Sequence, residues 1–184
     1  MKQELIEWLK AIIFAVVFVG IINIFVTNTL IYSISMNPTL VEGDMVVLRR
    51  TTDVERLDIV SFNSSLKLTE SDVSKLNIIQ KIYVKAGDDK KLIKRVIGLP
   101  GDKIDIVSGK VYVNDEEMIE PYLGSVKDEE IHAIVPDGEY FMMGDNRARS
   151  TDSRSSIVGT VKKEDIIGKA MFRVFPLTKI GFLN

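Results

Sequence analysis

Ser33-Ile34-Ser35-Met36-Asn37-Pro38-Thr39-Leu40 follows directly on the most apolar run of the sequence. This stretch carries two hydroxyl groups, on Ser33 and Ser35, which are two residues apart. In an extended chain, side chains at this spacing point to the same side, so the two hydroxyls are expected to face one space. A serine hydroxyl becomes a nucleophile only when a base activates it. A chemical role for these serines therefore requires a base elsewhere in the chain.

The apolar run before this stretch covers residues 11–26 and is interrupted only by Asn23. Counted to Ile31, it would form a helix about 31 Å long, close to the hydrocarbon thickness of a bilayer. A buried core helix is disfavoured, because such helices are rarely apolar on all sides over this length. A cleaved signal peptide is disfavoured because the run is longer than usual and no small-x-small cleavage site directly follows it. Residues 1–31 are therefore predicted to be a tail and a retained transmembrane anchor.

The orientation of this anchor is indicated by two lysines. Lys2 and Lys10 precede the apolar run, and positive charges tend to stay on the cytoplasmic side of a membrane. Glu4 and Glu7 offset their charge, but the rule depends mainly on Lys and Arg. The sequence therefore predicts a single-pass protein of the cell membrane whose N-terminus is inside and whose remaining chain is extracytoplasmic.

The composition excludes several classes of function. The 184-residue chain has a net charge of −2, so a basic face for nucleic acid is not indicated. It contains no cysteine, which excludes disulfides, cysteine-ligated zinc and thiol catalysis. His132 is the only histidine, and no helix-spaced carboxylate pair accompanies it, so neither a metal site nor another cofactor is predicted. His132 itself is interpreted as a surface residue on a strand.

Beyond residue 31 the sequence alternates short apolar runs with turn residues, which is typical of antiparallel β structure. Ser108-Gly109 between two such runs is a hairpin signature. We expect a mainly β domain over 32–184, with about ten short strands in an antiparallel sheet arrangement. The runs cover residues 45–48, 59–62, 78–84, 91–97, 104–107, 110–113, 139–143 and 166–174.

Two polar regions and two apolar segments complete the domain. Residues 63–76 are rich in Ser, Lys, Asp and Glu and are expected to be a polar insert, either a short helix or a loop. Residues 115–130 hold seven acidic residues and one lysine and are expected to be a solvated face. Residues 141–143 and 172–182 are interpreted as core strands, with a face that rests on the membrane as the alternative.

Lysine is the base that remains for the serines. A Ser-His-Asp triad would have to use His132, and the sequence has no Gly-x-Ser-x-Gly elbow. A lysine with its ordinary pKa near 10.4 is charged at pH 7, and bringing that pKa to neutrality costs about 4–5 kcal/mol. Burial or nearby positive charge lowers a lysine pKa. The candidate base must therefore lie in an apolar strand.

Lys94 meets this requirement, whereas most other lysines lie among polar neighbours or at segment ends. It lies in Leu92-Ile93-Lys94-Arg95-Val96-Ile97, where strand alternation places Lys94 and Arg95 on opposite faces. One of these basic side chains can then face the interior while the other faces out. Alternatively, both reach solvent from an edge strand, and the spacing alone does not decide between the two arrangements.

Three longer motifs occur in order behind the predicted anchor. They are Ser-x-Ser-Met-x-Pro-Thr-Leu at 33–40, Lys-Arg-Val-Ile-Gly-Leu-Pro-Gly-Asp at 94–102 and Gly-Asp-Asn-Arg-x-x-Ser-x-Asp-Ser-Arg at 144–154. Together they closely resemble the bacterial type I signal peptidases, over essentially the whole chain. Residues 43–47, 110–114 and 120–123 also look like that family. The chain departs from it in Leu57-Asp58-Ile59-Val60, where many members have Gly-Asp-Ile-Val, and in the polar insert.

The resemblance implies a serine–lysine dyad in which Ser35 is the nucleophile and Lys94 is the general base. It implies that Ser33 joins the backbone N–H of Ser35 as the oxyanion hole. Ser150 matches the serine that hydrogen-bonds to the lysine and orients it. The charged residues of the third motif match those that hold the framework of the site, namely Asp145, Arg147, Asp152 and Arg154.

The resemblance further implies a membrane-bound serine endopeptidase that removes signal peptides through an acyl-enzyme. Family members cleave after small residues, in Ala-x-Ala-like sequences bound as an extended strand, so exported preproteins and the lipid bilayer are the expected partners. A self-cleaving serine–lysine regulator is disfavoured by the membrane span and the third motif. A catalytically inactive, membrane-anchored assembly factor is disfavoured because both the serine and the lysine are present. A processing protease dedicated to a few surface proteins stays open.

Overall fold

The computed structural model describes residues 2–74, 81 and 85–183. Within them the chain forms two α helices and twelve strands, with three short 3-10 helices. The helices are α1 (Lys2–Phe25) and α2 (Glu70–Ser74). The strands are β1 (Val26–Leu30), β2 (Met45–Arg49), β3 (Ile59–Lys67), β4 (Asp89–Gly98), β5 (Lys103–Val107), β6 (Lys110–Val113), β7 (Glu116–Glu117), β8 (Ile131–Ile134), β9 (Glu139–Met143), β10 (Val161–Lys162), β11 (Ile166–Phe175) and β12 (Gly181–Phe182). The predicted mainly β fold behind an N-terminal helix is confirmed.

Helix α1 is, among the described residues, the one helix that is long and apolar enough to cross a membrane, over Gln3–Phe25. It ends six residues before the predicted limit of the anchor at Ile31, because the chain changes to strand at Val26. Thr27, Thr29 and Val26 are β-branched and favour a strand. Strand β1 pairs with the whole of β2. The apolar helix therefore continues directly into the sheet.

The larger sheet brings the three sequence motifs together. Its strand order is β1-β2-β11-β3-β4-β9-β10, with β12 beside β11, and the neighbouring strands are antiparallel. Strand β4 carries the second motif and lies between β3 and β9, with Lys94 opposite Val60 and Arg95 opposite Met143. The third motif begins where β9 ends, and the first follows β1. The sheet order therefore gathers residues that are far apart in sequence at one place.

A second sheet has the order β7-β6-β5-β8. Its β5–β6 hairpin turns at Ser108 and Gly109, which both have positive φ angles of 52° and 78°, as a two-residue turn of this kind requires. The predicted hairpin is therefore confirmed. His132 lies exposed on β8 beside Asp105, which confirms its interpretation as a surface strand residue.

Strand β4 buries both of its adjacent basic residues. Lys94 and Arg95 are each only 2% exposed, so the expectation that one of them faces out, and the alternative that both reach solvent, are wrong. Both faces of β4 are covered: Val96 packs in one apolar cluster, with Phe62 and Met142, and Ile97 packs in another. A central strand with two covered faces cannot send either side chain to water.

The polar insert 63–76 and the apolar segment 172–182 differ in part from the structure predicted for them. Strand β3 continues to Lys67, so the polar insert 63–76 starts as a strand and then forms the short helix α2. Residues 141–143 are buried as predicted. Within 172–182, however, four apolar side chains are exposed, namely Phe175, Leu177, Ile180 and Phe182. The strand predicted over 78–84 lies, except for Lys81, outside the described residues.

Candidate active site

The turn that follows β1 presents the two serines. Met36 and Leu40 are fully buried and anchor the turn in an apolar cluster with Val46 and Leu48. The N–H of Leu40 donates to the carbonyl of Met36 at 2.9 Å. Ser35 is held almost out of solvent by this arrangement. The first motif is therefore a rigid turn whose apolar residues point into the protein.

Lys94 reaches Ser35 from β4. Its Nζ lies 2.7 Å from Ser35 Oγ and 3.0 Å from the carbonyl oxygen of Ile93. Burial lowers the pKa of Lys94 to about 8, although the carboxylates of Asp152 and Asp145 act in the opposite direction. At pH 7 about a tenth of such lysines are neutral, whereas only a few in ten thousand would be neutral at the ordinary pKa. The structure thus places a partly neutral amine in contact with a serine hydroxyl.

Ser33 lies beside this pair. Its Oγ is 3.0 Å from Ser35 Oγ and 3.4 Å from the backbone nitrogen of Ser35. The two donors expected to form the oxyanion hole, the Ser33 hydroxyl and the Ser35 N–H, are therefore neighbours. The long contact between them is weak, so both donors stay available to an oxygen that approaches Ser35.

Asp145 is paired with Arg95 on the face of β4 opposite Lys94. Arg95 donates from Nε to Oδ1 at 2.9 Å and from Nη2 to Oδ2 at 2.8 Å, and a further nitrogen donates to the carbonyl of Leu57 at 2.8 Å. The hydroxyl of Thr39, in the serine turn, donates to the same carboxylate. Asp145 therefore links the turn, β4 and the third motif.

Asp152 is paired with Arg154 on the other side of the site. Arg154 donates to both carboxylate oxygens, at 2.8 and 2.9 Å, and the N–H of Gly144 donates to Oδ2 at 2.9 Å. Burial would raise the pKa of Asp152, but the hydrogen bonds and charge of Arg154, together with the Gly144 N–H, lower it overall. Both carboxylates whose charge acts on Lys94, Asp145 and Asp152, are therefore paired with arginine.

Glu120 and Tyr122 complete this framework, although they belong to the region predicted to be solvated. The Glu120 side chain is 4% exposed and forms an ion pair with Arg147. Tyr122 donates from its hydroxyl to Glu120 at 2.8 Å, and its ring covers the guanidinium of Arg95 at 3.9 Å. Burial raises the pKa of Tyr122, which keeps this hydroxyl protonated.

The prediction that 115–130 is a solvated face is thus wrong for its central part. Glu129 also pairs with Arg154. The sequence of this acidic segment predicts exposure to solvent because the arginines that pair with it, Arg147 and Arg154, lie in another segment of the chain. The signal that could have identified Glu120 and Tyr122 is their place in the family-like segment 120–123.

Gly144 and Ser150 lie behind the dyad. A Cβ atom at Gly144 would overlap both Ser150 Oγ and the carbonyl oxygen of Ser35, so only glycine fits there. Ser150 Oγ is buried and has no hydrogen bond of normal geometry, although its hydroxyl helps to lower the pKa of Asp152. The hydrogen bond from Ser150 to Lys94 that the resemblance implies is therefore not formed here, because Lys94 Nζ contacts Ser35 and Ile93 instead. The orienting role of Ser150 stays a prediction.

The chain is similar to known proteins of one family. The family model described as "Signal peptidase, peptidase S26" matches residues 5–175. Signal peptidase I of Bacillus licheniformis is 34% identical, over 97% of this chain and 93% of its own length. Signal peptidase I S of Bacillus subtilis is 32% identical, over 100% of this chain and 96% of its own length. A crystal structure of a signal peptidase I from Enterococcus faecalis has 27% identity and a TM-score of 0.46, over 64% of this chain and 96% of that one.

Proposed function

The chain belongs to the signal peptidase family, peptidase S26, and we propose that Ser35 and Lys94 are its catalytic nucleophile and general base. The protein is a membrane-associated serine protease that removes signal peptides. The observation that carries the residue assignment is the 2.7 Å contact between Lys94 Nζ and Ser35 Oγ, in a site that lowers the pKa of Lys94 to about 8. No contact in the site supports the alternatives that the protein is an inactive assembly factor or a protease dedicated to a few surface proteins.

The first chemical step is acylation. When Lys94 is neutral, its Nζ accepts the proton of Ser35 Oγ while Oγ attacks the scissile carbonyl carbon. The carbonyl oxygen becomes an oxyanion, which accepts hydrogen bonds from the Ser33 hydroxyl and the Ser35 N–H. The proton on Lys94 then passes to the leaving amine as the C–N bond breaks. An ester between Ser35 and the signal peptide remains.

The second step is hydrolysis of this ester. Lys94 is neutral again after protonating the amine, so it can accept a proton from a water molecule that attacks the ester carbonyl. The same two donors hold the second oxyanion. The proton returns to Ser35 Oγ as the ester bond breaks. Lys94 is therefore the base in both half-reactions, and in each it accepts one proton and gives it up again.

The substrate binds as an extended strand beside the early part of β4. On the side of β4 that faces β9, pairing begins at Arg95, opposite Met143. Within the described residues, no strand pairs with Leu92 or Ile93 on that side. An exposed strand edge offers unpaired backbone groups, to which an extended peptide can add. This edge ends at Lys94, so a peptide bound there reaches the dyad.

The membrane fixes the location of the site. Helix α1 ends at Phe25, and Ser35 follows after one strand and a short connection. The exposed apolar patch, defined as Phe175, Leu177, Ile180 and Phe182, lies at the same end of the sheet as the serine turn, because Phe175 and Leu30 both pair with Met45. Helix α1 joins β1 at the opposite end, where Val26 pairs with Arg49, so contact of both ends with the bilayer requires β1 to run along its surface. The catalytic domain, residues 32–184 with β1, rests with this patch on the extracytoplasmic surface, where exported preproteins emerge. Lys2 and Lys10 support an N-terminus inside.

The proposal is tested with a model preprotein in detergent and mass spectrometry of the products. Wild type is expected to release one peptide, cut after an Ala-x-Ala-like sequence, whereas Ser35→Ala and Lys94→Ala yield none while keeping the wild-type fold by circular dichroism. Lys162→Ala is the matched control, because Lys162 is exposed on β10, away from the proposed substrate edge of β4. Cleavage by Lys94→Ala at the wild-type rate would contradict the assignment of the base.

A further inference from the structure

Asn146 holds both peptide groups that flank Ser35. Its side-chain Nδ2 donates to the carbonyl oxygen of Ile34 at 3.0 Å. Its backbone N–H donates to the carbonyl oxygen of Ser35, also at 3.0 Å. The sequence motifs gave Asn146 no role. Its side chain contacts only one of these two peptide groups, the one that contains the Ser35 N–H.

The orientation of the Asn146 amide is fixed by Ser125. The N–H of Ala148 donates to Ser125 Oγ at 3.0 Å, and Ser125 Oγ donates to Asn146 Oδ1 at 2.6 Å. Because the Ile34 carbonyl can only accept, the Asn146 atom that faces it must be the NH₂ group. The contacts therefore define a directed series of hydrogen bonds from Ala148 through Ser125 and Asn146 to Ile34.

This series of hydrogen bonds ends at the peptide group that also carries the Ser35 N–H, the backbone donor that the oxyanion requires. A peptide group is planar, so the carbonyl of Ile34 and the N–H of Ser35 point in opposite directions from the same rigid unit. A hydrogen bond that fixes the Ile34 carbonyl therefore also fixes the direction of the Ser35 N–H. In addition, hydrogen bonds in series polarise one another, which makes the Ser35 N–H a stronger donor.

We propose that Asn146 is a positioning residue for the oxyanion hole, acting through the Ile34–Ser35 peptide group, and that Ser125 orients its amide. The proposal rests on the assignment of Ser35 as nucleophile. Asn146 does not touch the reacting atoms. Its side chain stabilises the one peptide orientation in which the Ser35 N–H meets the developing oxyanion.

The turn is expected to survive loss of this side chain. The Ile34 carbonyl also accepts from the N–H of Asn37 at 3.1 Å, and Met36 and Leu40 stay buried. Asn146→Ala keeps the backbone hydrogen bond to Ser35 and adds no charge near Lys94. The substitution therefore removes one of the two hydrogen bonds that orient the Ile34–Ser35 peptide group, and the Asn37 N–H keeps the other.

The test compares two peptide ligands with the same Ala-x-Ala-like sequence. In a peptide aldehyde, Ser35 Oγ bonds to the aldehyde carbon, the serine proton passes to Lys94, and the former carbonyl oxygen occupies the oxyanion position. The matching peptide alcohol binds without forming that bond. For Asn146→Ala we expect kcat to fall about 10-fold, less than the loss of a whole oxyanion donor, and aldehyde affinity to fall by the same factor.

The remaining readouts separate positioning from a structural role. KM and the alcohol affinity should stay within about twofold of the wild-type values. The pH midpoint of kcat/KM should stay within about 0.2 pH units of the wild-type midpoint. Ser125→Ala should shift aldehyde affinity in the same direction by a smaller factor. Asn114→Ala is the matched control: Asn114 also uses both ends of its amide, toward Lys103 and Asp102, but lies outside the site.

Two outcomes would overturn the proposal. One is an Asn146→Ala enzyme with wild-type kcat and wild-type aldehyde affinity. The other is equal loss of aldehyde and alcohol affinity in Asn146→Ala, which would indicate a general disturbance of the site. Ser35→Ala provides the separate check on the nucleophile. If it still cleaves the substrate, the assignment of Ser35 fails, whatever Asn146 does.

Discussion

Arg95 and Asp145 form a two-pronged ion pair in the interior of the protein, with nitrogen–oxygen distances of 2.9 and 2.8 Å and almost no exposure of either side chain. Arg95 directly follows Lys94 in β4 but lies on the opposite face. The charge of Asp145 raises the pKa of Lys94 and so favours its protonated form, and a positive charge beside that carboxylate weakens this effect. The pair therefore keeps a framework carboxylate close to the dyad without fully charging the base.

Replacing Arg95 tests this relationship. In Arg95→Met the Asp145 carboxylate loses its guanidinium, so the pKa of Lys94 should rise and the acid limb of the kcat/KM profile should move to higher pH. The free energy of unfolding should fall by about 3–5 kcal/mol, as when one partner of a buried pair is removed. The measurements are a pH–rate series with a peptide substrate and denaturant unfolding.

Two further variants serve as controls for Arg95. Asp145→Asn combined with Arg95→Met removes the unbalanced charge, so the pH midpoint should return toward that of the wild type. Arg56→Met breaks an ion pair with Asp102 outside the site and should leave the midpoint unchanged. If Arg95→Met kept the wild-type midpoint, Arg95 would have no influence on the base.

The local elements of the fold could be predicted from the sequence, whereas the pairing of distant charges could not. Strand β2 and the β5–β6 hairpin follow from short apolar runs and turn residues that determine structure locally. The burial of Arg95, by contrast, depends on Asp145, fifty residues away, and on the Tyr122 ring. The sequence pattern shows that the side chains of Arg95 and Lys94 point to opposite faces of the strand, but it does not show which residues pack over Arg95.

The candidate site shows the same division. Ser33 and Ser35 could be placed on one side by spacing, and Lys94 could be selected by its apolar surroundings. The hydropathy pattern places the end of α1 too late, because apolar Val26 and Leu30 continue the hydropathy of the helix while they pair as a strand. Likewise, the apolar residues of 172–182 resemble core in sequence, and only the three-dimensional packing shows which of them are exposed.

Substituting Ser33 tests the oxyanion hole. Ser33→Ala should leave KM close to the wild-type value and lower kcat on the order of 10²-fold, because the lost donor acts on the transition state. Steady-state kinetics with a peptide substrate separate the two constants. Ser156→Ala, at an exposed serine outside the site, is the control. A Ser33→Ala enzyme with wild-type kcat would remove Ser33 from the oxyanion hole.

The exposed apolar patch predicts a dependence on the membrane. Leu177→Asp should slow cleavage of a preprotein in liposomes, because a charge at a bilayer surface opposes insertion of the patch, while cleavage of a soluble peptide in detergent stays at the wild-type rate. Ile134→Asp is a matched control, since Leu177 and Ile134 are both 75% exposed and Ile134 lies on the smaller sheet. Equal rates for the two variants in liposomes would contradict a membrane-resting patch.

Replacing Lys94 by a neutral side chain should stabilise the protein at neutral pH. The pKa of Lys94 is about 8 in the folded protein, against 10.5 for an ordinary lysine. Below pH 8 both states carry the proton, so the cost of burying the charge is present in full, on the order of 3 kcal/mol. As the pH rises from 8 to 10.5, the folded state binds fewer protons than the unfolded state and the wild type gains stability.

Lys94→Met should therefore unfold with a higher free energy than wild type at pH 7, and the difference should shrink toward pH 10.5. Denaturant unfolding at several pH values measures it. Lys91→Met, at an exposed position of the same strand, should show no such pH-dependent gain. A Lys94→Met protein that is less stable than wild type at pH 7 would indicate that the folded protein favours the charged lysine.

A titration of the Lys94 amine itself tests most directly whether this lysine is the base. With ¹⁵N-labelled lysine, the Nζ resonance that is missing in Lys94→Met can be followed with pH and compared with the acid limb of kcat/KM. If neutral Lys94 is the base, both have a midpoint near pH 8, the pKa that burial gives Lys94, and activity increases as the amine loses its proton. A Lys94 amine that titrates above pH 10, while the activity reaches its plateau near pH 7, would contradict the central claim that neutral Lys94 is the base for Ser35.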